Sequence, residues 1–135
     1  MLKQFLASCH LTYQLLAASP PAGVVCLTEK DFQEKISKGY VFVKFYQPWC
    51  IHCKRLSPTW DDLSNKFSSI EGVTIAEINC TQCSSLCSNH QVSGYPTLVL
   101  YRDGVKLGEH RGQRSLENLY SFVMRHVERN QDELY

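Results

Sequence analysis

The tightest constraint on this chain is Cys50-Ile51-His52-Cys53 together with what stands on either side of it. Before it, Tyr40 to Tyr46 (YVFVKFY) is β-branched and aromatic apart from Lys44, and reads as a buried central strand. After it, Leu56, Trp60, Leu63 and Phe67 recur at helical spacing and give one apolar face, with Pro58 expected to kink the helix. The cysteine pair therefore stands where a strand ends and a helix begins.

That placement has a chemical consequence. The free N–H groups and partial positive charge of a helix N-terminus stabilise a thiolate and lower the pKa of Cys50. The thiolate is the attacking species in disulfide exchange. Cys53, one turn further in, can close a ring with Cys50 and expel a substrate sulfur. His52 can add positive charge beside the thiolate, while Pro48 and Trp49 supply a tight turn and an aromatic wall. The competing reading is zinc, because Cys80-Thr81-Gln82-Cys83 is a second such pair and two pairs can make a four-cysteine site. The gap between the pairs is longer than zinc-ribbon spacing, and zinc leaves the strand–helix context of the first pair unexplained.

The rest of the chain repeats the alternation. Val24 to Leu27 reads as a strand and Thr28 as the cap of a short helix that runs through Phe32 and Ile36 to Gly39. Val73 to Asn79 alternates like a strand, and Ser84 to Gln91 reads as a short helix. Thr97 to Tyr101 and Val105 to Glu109 make a hairpin around Arg102-Asp103-Gly104. Ser115 caps a last helix with Glu117 early, Arg125 and Arg129 late, and an apolar face of Leu116, Leu119, Phe122 or Val123, and Val127. The order β-α-β-α-β-α-β-β-α predicts an α/β domain over residues 23–129, a mixed sheet with helices on both faces. Residues 130–135 read as a solvated tail. Residues 1–22 read either as a signal-like segment or as an upstream tail and linker.

Composition narrows the function. Fourteen Lys and Arg against 13 Asp and Glu leave a net charge of +1, which offers nucleic acid no electrostatic footprint. No run of 18 apolar residues exists, so no membrane insertion is expected. Seven cysteines in 135 residues point to an oxidising compartment or to redox work.

Lys44-Phe45-Tyr46-Gln47-Pro48-Trp49-Cys50-Ile51-His52-Cys53-Lys54, then Ser57-Pro58, then Ser93-Gly94-Tyr95-Pro96-Thr97-Leu98 resembles a catalytic domain of the protein disulfide isomerase family. The match runs from about Val24 to Val127. It is similar above all to the last domain of the endoplasmic-reticulum member built from three thioredoxin domains. The resemblance implies a thioredoxin fold and a thiol–disulfide oxidoreductase or isomerase. It needs no cofactor beyond the redox-active Cys50–Cys53 disulfide. Its implied partners are unfolded or partly folded cysteine-containing proteins, with glutathione or an upstream thiol oxidase. It also implies that Pro96 is a cis-proline facing the pair, presenting backbone with Tyr95 to an extended substrate. Arg114 is implied to swing toward the site and tune Cys53. Cys80 and Cys87 are expected as a structural disulfide, leaving Cys83 free or competing with Cys87. Cys26 is expected as a buried small hydrophobe. Residence in the lumen of the endoplasmic reticulum is implied, with partial secretion because Tyr135 follows the retrieval-like Asp132-Glu133-Leu134.

Two departures from the family pattern stand out. Ile51 occupies a position where the family carries glycine, and crowds the approach to Cys50. The buried acid before the site is Lys44, and the lysine it pairs with aligns to Glu77, so the pair is inverted. A charged Lys44 favours thiolate at Cys53; deprotonated by burial, it accepts the thiol proton instead. Two other function classes compete with the enzyme. One is a redox-poor, peptide-binding chaperone module gripping chains near Trp49 and Pro96. The other is a metal-binding structural domain.

Overall fold

The structure is a computed structural model, and it describes residues 23–133. Five strands and four helices follow in chain order: β1 (Val25–Leu27), α1 (Phe32–Ile36), β2 (Tyr40–Tyr46), α2 (Ile51–Phe67), β3 (Val73–Asn79), α3 (Ser84–Asn89), β4 (Thr97–Arg102), β5 (Val105–Glu109) and α4 (Leu116–Glu133). They form one sheet in the order β1-β3-β2-β4-β5, with β1, β3 and β2 parallel and β4 and β5 antiparallel. The expected alternation and mixed sheet are therefore present.

Strand alternation divides the core into two layers. Val41, Val43 and Phe45 of β2 pack with Phe32, Ile36, Ala76, Ile78 and Tyr101 on the α1 and α3 side. Phe42 packs with Leu56, Trp60, Leu63, Leu119 and Phe122 on the α2 and α4 side. Lys44 shares the face of Phe42, so it lies under α2. The indole N–H of Trp60 donates to the Ala76 carbonyl at 3.0 Å, tying α2 to β3. α2 runs through Pro58 without a break.

Turn chemistry explains the joints. Thr28 and Asp31 exchange hydrogen bonds, the Thr28 N–H to Asp31 Oδ1 at 2.7 Å and the Asp31 N–H to Thr28 Oγ1 at 3.3 Å. Asp103 and Gly104 both have positive φ, as a two-residue hairpin turn requires. The Ser115 hydroxyl accepts from the Asn118 N–H at 3.2 Å and caps α4 as expected.

α4 runs to Glu133 through the start of the expected tail: Asn130 donates to the Tyr40 hydroxyl at 2.6 Å, residues 131–133 are exposed, and residues 134–135 lie outside the described residues. Two sequence expectations are corrected. The short helix ends at Asn89, because Gln91 takes a positive φ. Cys26 is exposed rather than buried. The apolar run Val24 to Leu27 suggested burial on both faces, but β1 is an edge strand. Leu27, with Val25 beside it, packs into one core layer, while Cys26 on the opposite face stays exposed.

Candidate active site

Cys50 occupies the N-cap of α2 in extended conformation, and its Sγ accepts the Cys53 N–H at 3.4 Å. Its backbone is fixed by bonds from the Cys50 N–H to the Gln47 carbonyl and from the Lys54 N–H to the Cys50 carbonyl. Burial raises the Cys50 pKa, but hydrogen bonds from Cys53 and from the His52 backbone N–H, with the charge of Arg114, bring it below the ordinary thiol value. His52 thus contributes through its backbone. Cys53 is buried, and burial followed by its hydrogen bond with Cys50 pushes its pKa up to about 11.

Large apolar side chains stand exposed next to Cys50. Trp49 and Ile51 are 66% and 56% exposed, unusual for side chains of that size. The Tyr95–Pro96 peptide bond is cis, and the Tyr95 carbonyl accepts the Cys50 thiol at 3.6 Å. Trp49 and Ile51 thus adjoin Cys50 in the chain, and the Tyr95–Pro96 turn meets it through the Tyr95 carbonyl.

Beneath the pair lies the inverted charge pair. Lys44 and Glu77 are register partners on β2 and β3, and their charged groups lie 3.7 Å apart. Lys44 is 2% exposed and Glu77 19%. The Lys44 ammonium also donates to Ser57 Oγ at 3.5 Å and sits 5.0 Å from the centre of the Tyr46 ring. Burial and then Glu77 raise the Tyr46 pKa to about 12. The charge of Lys44 acts on Cys53 in the direction of thiolate, against the larger effect of burial.

The family resemblance implies that Arg114 tunes Cys53. Its charge lowers the Cys50 pKa, and it shares a cavity with His52, Arg55 and Leu56. Arg55 was missed in the sequence, where only its helical position beside His52 could have marked it. A larger cavity, about 400 Å³, lies at the far end of α2 against Val73 to Ile75, away from the cysteine pair.

Cys80 and Cys87 form a disulfide with Cα atoms 5.8 Å apart, joining the end of β3 to α3, while Cys83 is a buried free thiol. Among the described residues no cluster of His, Cys, Asp or Glu could hold a metal.

The thioredoxin family model matches residues 23–125. The chain belongs to the thioredoxin family. Several of the relatives are named as protein disulfide isomerases. Protein disulfide isomerase-like 5-1 of Oryza sativa subsp. japonica is 34% identical over 116 residues, covering 84% of this chain and 79% of the relative. That match makes this thioredoxin-family chain a member of the protein disulfide isomerase group. The Thioredoxin domain-containing protein 5 homolog of Drosophila melanogaster is 46% identical over 104 residues, covering 77% of this chain but 25% of the relative. The chain thus spans about a quarter of that protein. Among solved structures, the J-Trx1 fragment of ERdj5 superposes with a TM-score of 0.73 at 32% identity, covering 83% of this chain and 55% of that one.

Proposed function

We propose that the chain is a thiol–disulfide oxidoreductase and isomerase whose Cys50 attacks disulfides of folding secretory proteins. The observation that carries this is the placement of two cysteines three residues apart: Cys50 caps α2 with its sulfur accepting the Cys53 N–H, which favours its thiolate, while Cys53 is buried and its thiol pushed up. In the reducing direction, Cys50 thiolate forms a mixed disulfide with one client sulfur, and the other client sulfur leaves as thiolate. Cys53, once deprotonated, attacks Cys50 Sγ, releases the first client sulfur and closes the Cys50–Cys53 disulfide. The exposed Trp49 and Ile51 and the Tyr95 carbonyl would hold an extended client across Cys50. Lys44, held by Glu77, would favour the Cys53 thiolate when it is needed. Glutathione or a thiol oxidase would return the pair to its starting state.

An oxidising compartment suits the Cys80–Cys87 disulfide, and the relatives named as disulfide isomerases support residence in the endoplasmic reticulum lumen. The exposed Trp49 and Ile51 also favour a second reading, a peptide-gripping module with little turnover. Equilibration in glutathione buffers, followed by alkylation and peptide mapping, separates the two. The enzyme reading expects Cys50–Cys53 to titrate reversibly while Cys80–Cys87 stays oxidised. A pair that never exchanges with glutathione leaves only the gripping module.

A further inference from the structure

Beside the cysteine pair the surface holds a cavity of about 240 Å³ lined by His52, Arg55, Leu56 and Arg114. Two of the four are guanidinium groups, a third is an imidazole, and none is acidic. The ion pairs among the described residues are Lys44–Glu77, Arg102–Asp103 and Arg111–Glu109, so neither Arg55 nor Arg114 has a carboxylate partner there. On α2, the residues three and four positions from Arg55 are His52, Ile51, Pro58 and Thr59, which leaves it no acidic helical neighbour. Two unpaired guanidinium groups lining one cavity with the apolar Leu56 suit a planar carboxylate, which a guanidinium can bind through two parallel N–H donors.

The position matters as much as the charge. His52 lies two residues beyond Cys50, and the charge of Arg114 reaches the Cys50 sulfur. The exposed apolar residues Trp49 and Ile51 flank Cys50 in the chain. A substrate disulfide at Cys50 therefore meets apolar contacts and a cationic cavity together.

We propose that the His52, Arg55 and Arg114 cavity is a subsite for a carboxylate carried a few bonds from the disulfide that Cys50 attacks. The proposal rests on the oxidoreductase reading above. Two sources carry the required chemistry: glutathione disulfide, and a client cystine with Asp or Glu beside it. With glutathione disulfide, Cys50 thiolate forms a mixed disulfide and one glutathione thiolate leaves. Cys53 then attacks Cys50 Sγ and the second glutathione thiolate leaves. Two electrons pass from the dithiol to the substrate, and the two cysteine protons end on the two glutathione thiols. The cavity holds the carboxylate while these bonds exchange.

The test is stopped-flow oxidation of the reduced domain by three disulfides, in the parent and in Arg55→Gln. The disulfides are glutathione disulfide, the neutral 2-hydroxyethyl disulfide, and a cystine peptide made with either Glu or Gln beside the sulfur. The variant is expected to lose about five-fold in rate with an anionic disulfide, the scale of a solvent-exposed ion pair, and nothing with the neutral one. The loss should shrink in high salt. Loss confined to glutathione disulfide names glutathione as the ligand; loss confined to the Glu peptide names the client; loss with both assigns the shared chemistry. An equal loss with the neutral disulfide, or no loss with either anionic one, overturns the subsite. A parent protein that reacts with none of the three removes the oxidoreductase reading itself.

Discussion

Cys50 and Cys53 are the same residue type three positions apart, yet their surroundings push them in opposite directions. Cys50 at the helix end gains hydrogen bonds and positive charge, whereas Cys53 is buried with a pKa of about 11. This predicts different pH slopes for the two halves of a cycle. A thiol near 11 is almost wholly protonated at neutral pH, so its thiolate fraction grows about tenfold per pH unit. Release from a mixed disulfide should follow that slope, while its formation by Cys50 flattens earlier. Single-turnover kinetics between about pH 6 and pH 9 measure both steps, and identical slopes would show that the two thiols are not tuned apart. The placement of Cys50 was legible in the sequence because the strand and helix flanking it are each unmistakable. The exposure of Cys26 was not, since an apolar run looks the same on an edge strand as in the middle of a sheet. Arg55 was equally silent, because its meaning depends on Arg114, distant in sequence and adjacent in space.

At the scale of elements, β2 and β3 hold the inverted pair in register, Lys44 opposite Glu77. Leaving either charge buried alone is costly, about 3 kcal/mol for a well-buried ion and less here because Glu77 retains solvent contact. Exchanging the pair, Lys44→Glu with Glu77→Lys, should therefore keep more stability than either single change. Denaturant unfolding of the four proteins in this cycle gives the coupling, and strict additivity would mean the charges do not interact. Lys44→Met should slow release from a mixed disulfide by at least about tenfold and its formation much less. Equal slowing of both steps would deny Lys44 any role at Cys53. The joint between α1 and β2 makes a simpler prediction. Gly39 has φ +69°, and a β-carbon there would meet the Gly72 carbonyl oxygen at 2.8 Å. Gly39→Ala should cost more than about 1 kcal/mol, read as a lower urea midpoint, because the clash is with backbone that cannot move aside. An unchanged midpoint would show that the joint relaxes. Element types and order were readable from hydrophobic period alone. The end of α4 was not, since its last turn is entirely polar and is held by Asn130 reaching Tyr40, a contact 90 residues apart in sequence.

Across the whole molecule, the sheet order places the cysteine pair at the end of the central strand β2, with α2 behind it and the Tyr95–Pro96 loop before it. The Cys80–Cys87 disulfide sits apart in the opposite layer, buried among Phe45, Ile78 and Val99. Closing a loop of that size should add about 2 kcal/mol to stability by restricting the unfolded chain, and its burial keeps it out of exchange. The proposed function gives the two cysteine pairs separate tasks, a structural one for Cys80–Cys87 and a chemical one for Cys50 and Cys53. The experiment that tests this division most directly is turnover of a disulfide-bonded client, such as insulin, by Cys50→Ser, Cys53→Ser and Cys83→Ser. Cys50→Ser is expected to lose turnover and Cys53→Ser to accumulate a mixed disulfide through Cys50, visible on non-reducing gels. Cys83→Ser should retain full rate. Full turnover by Cys50→Ser would contradict the account.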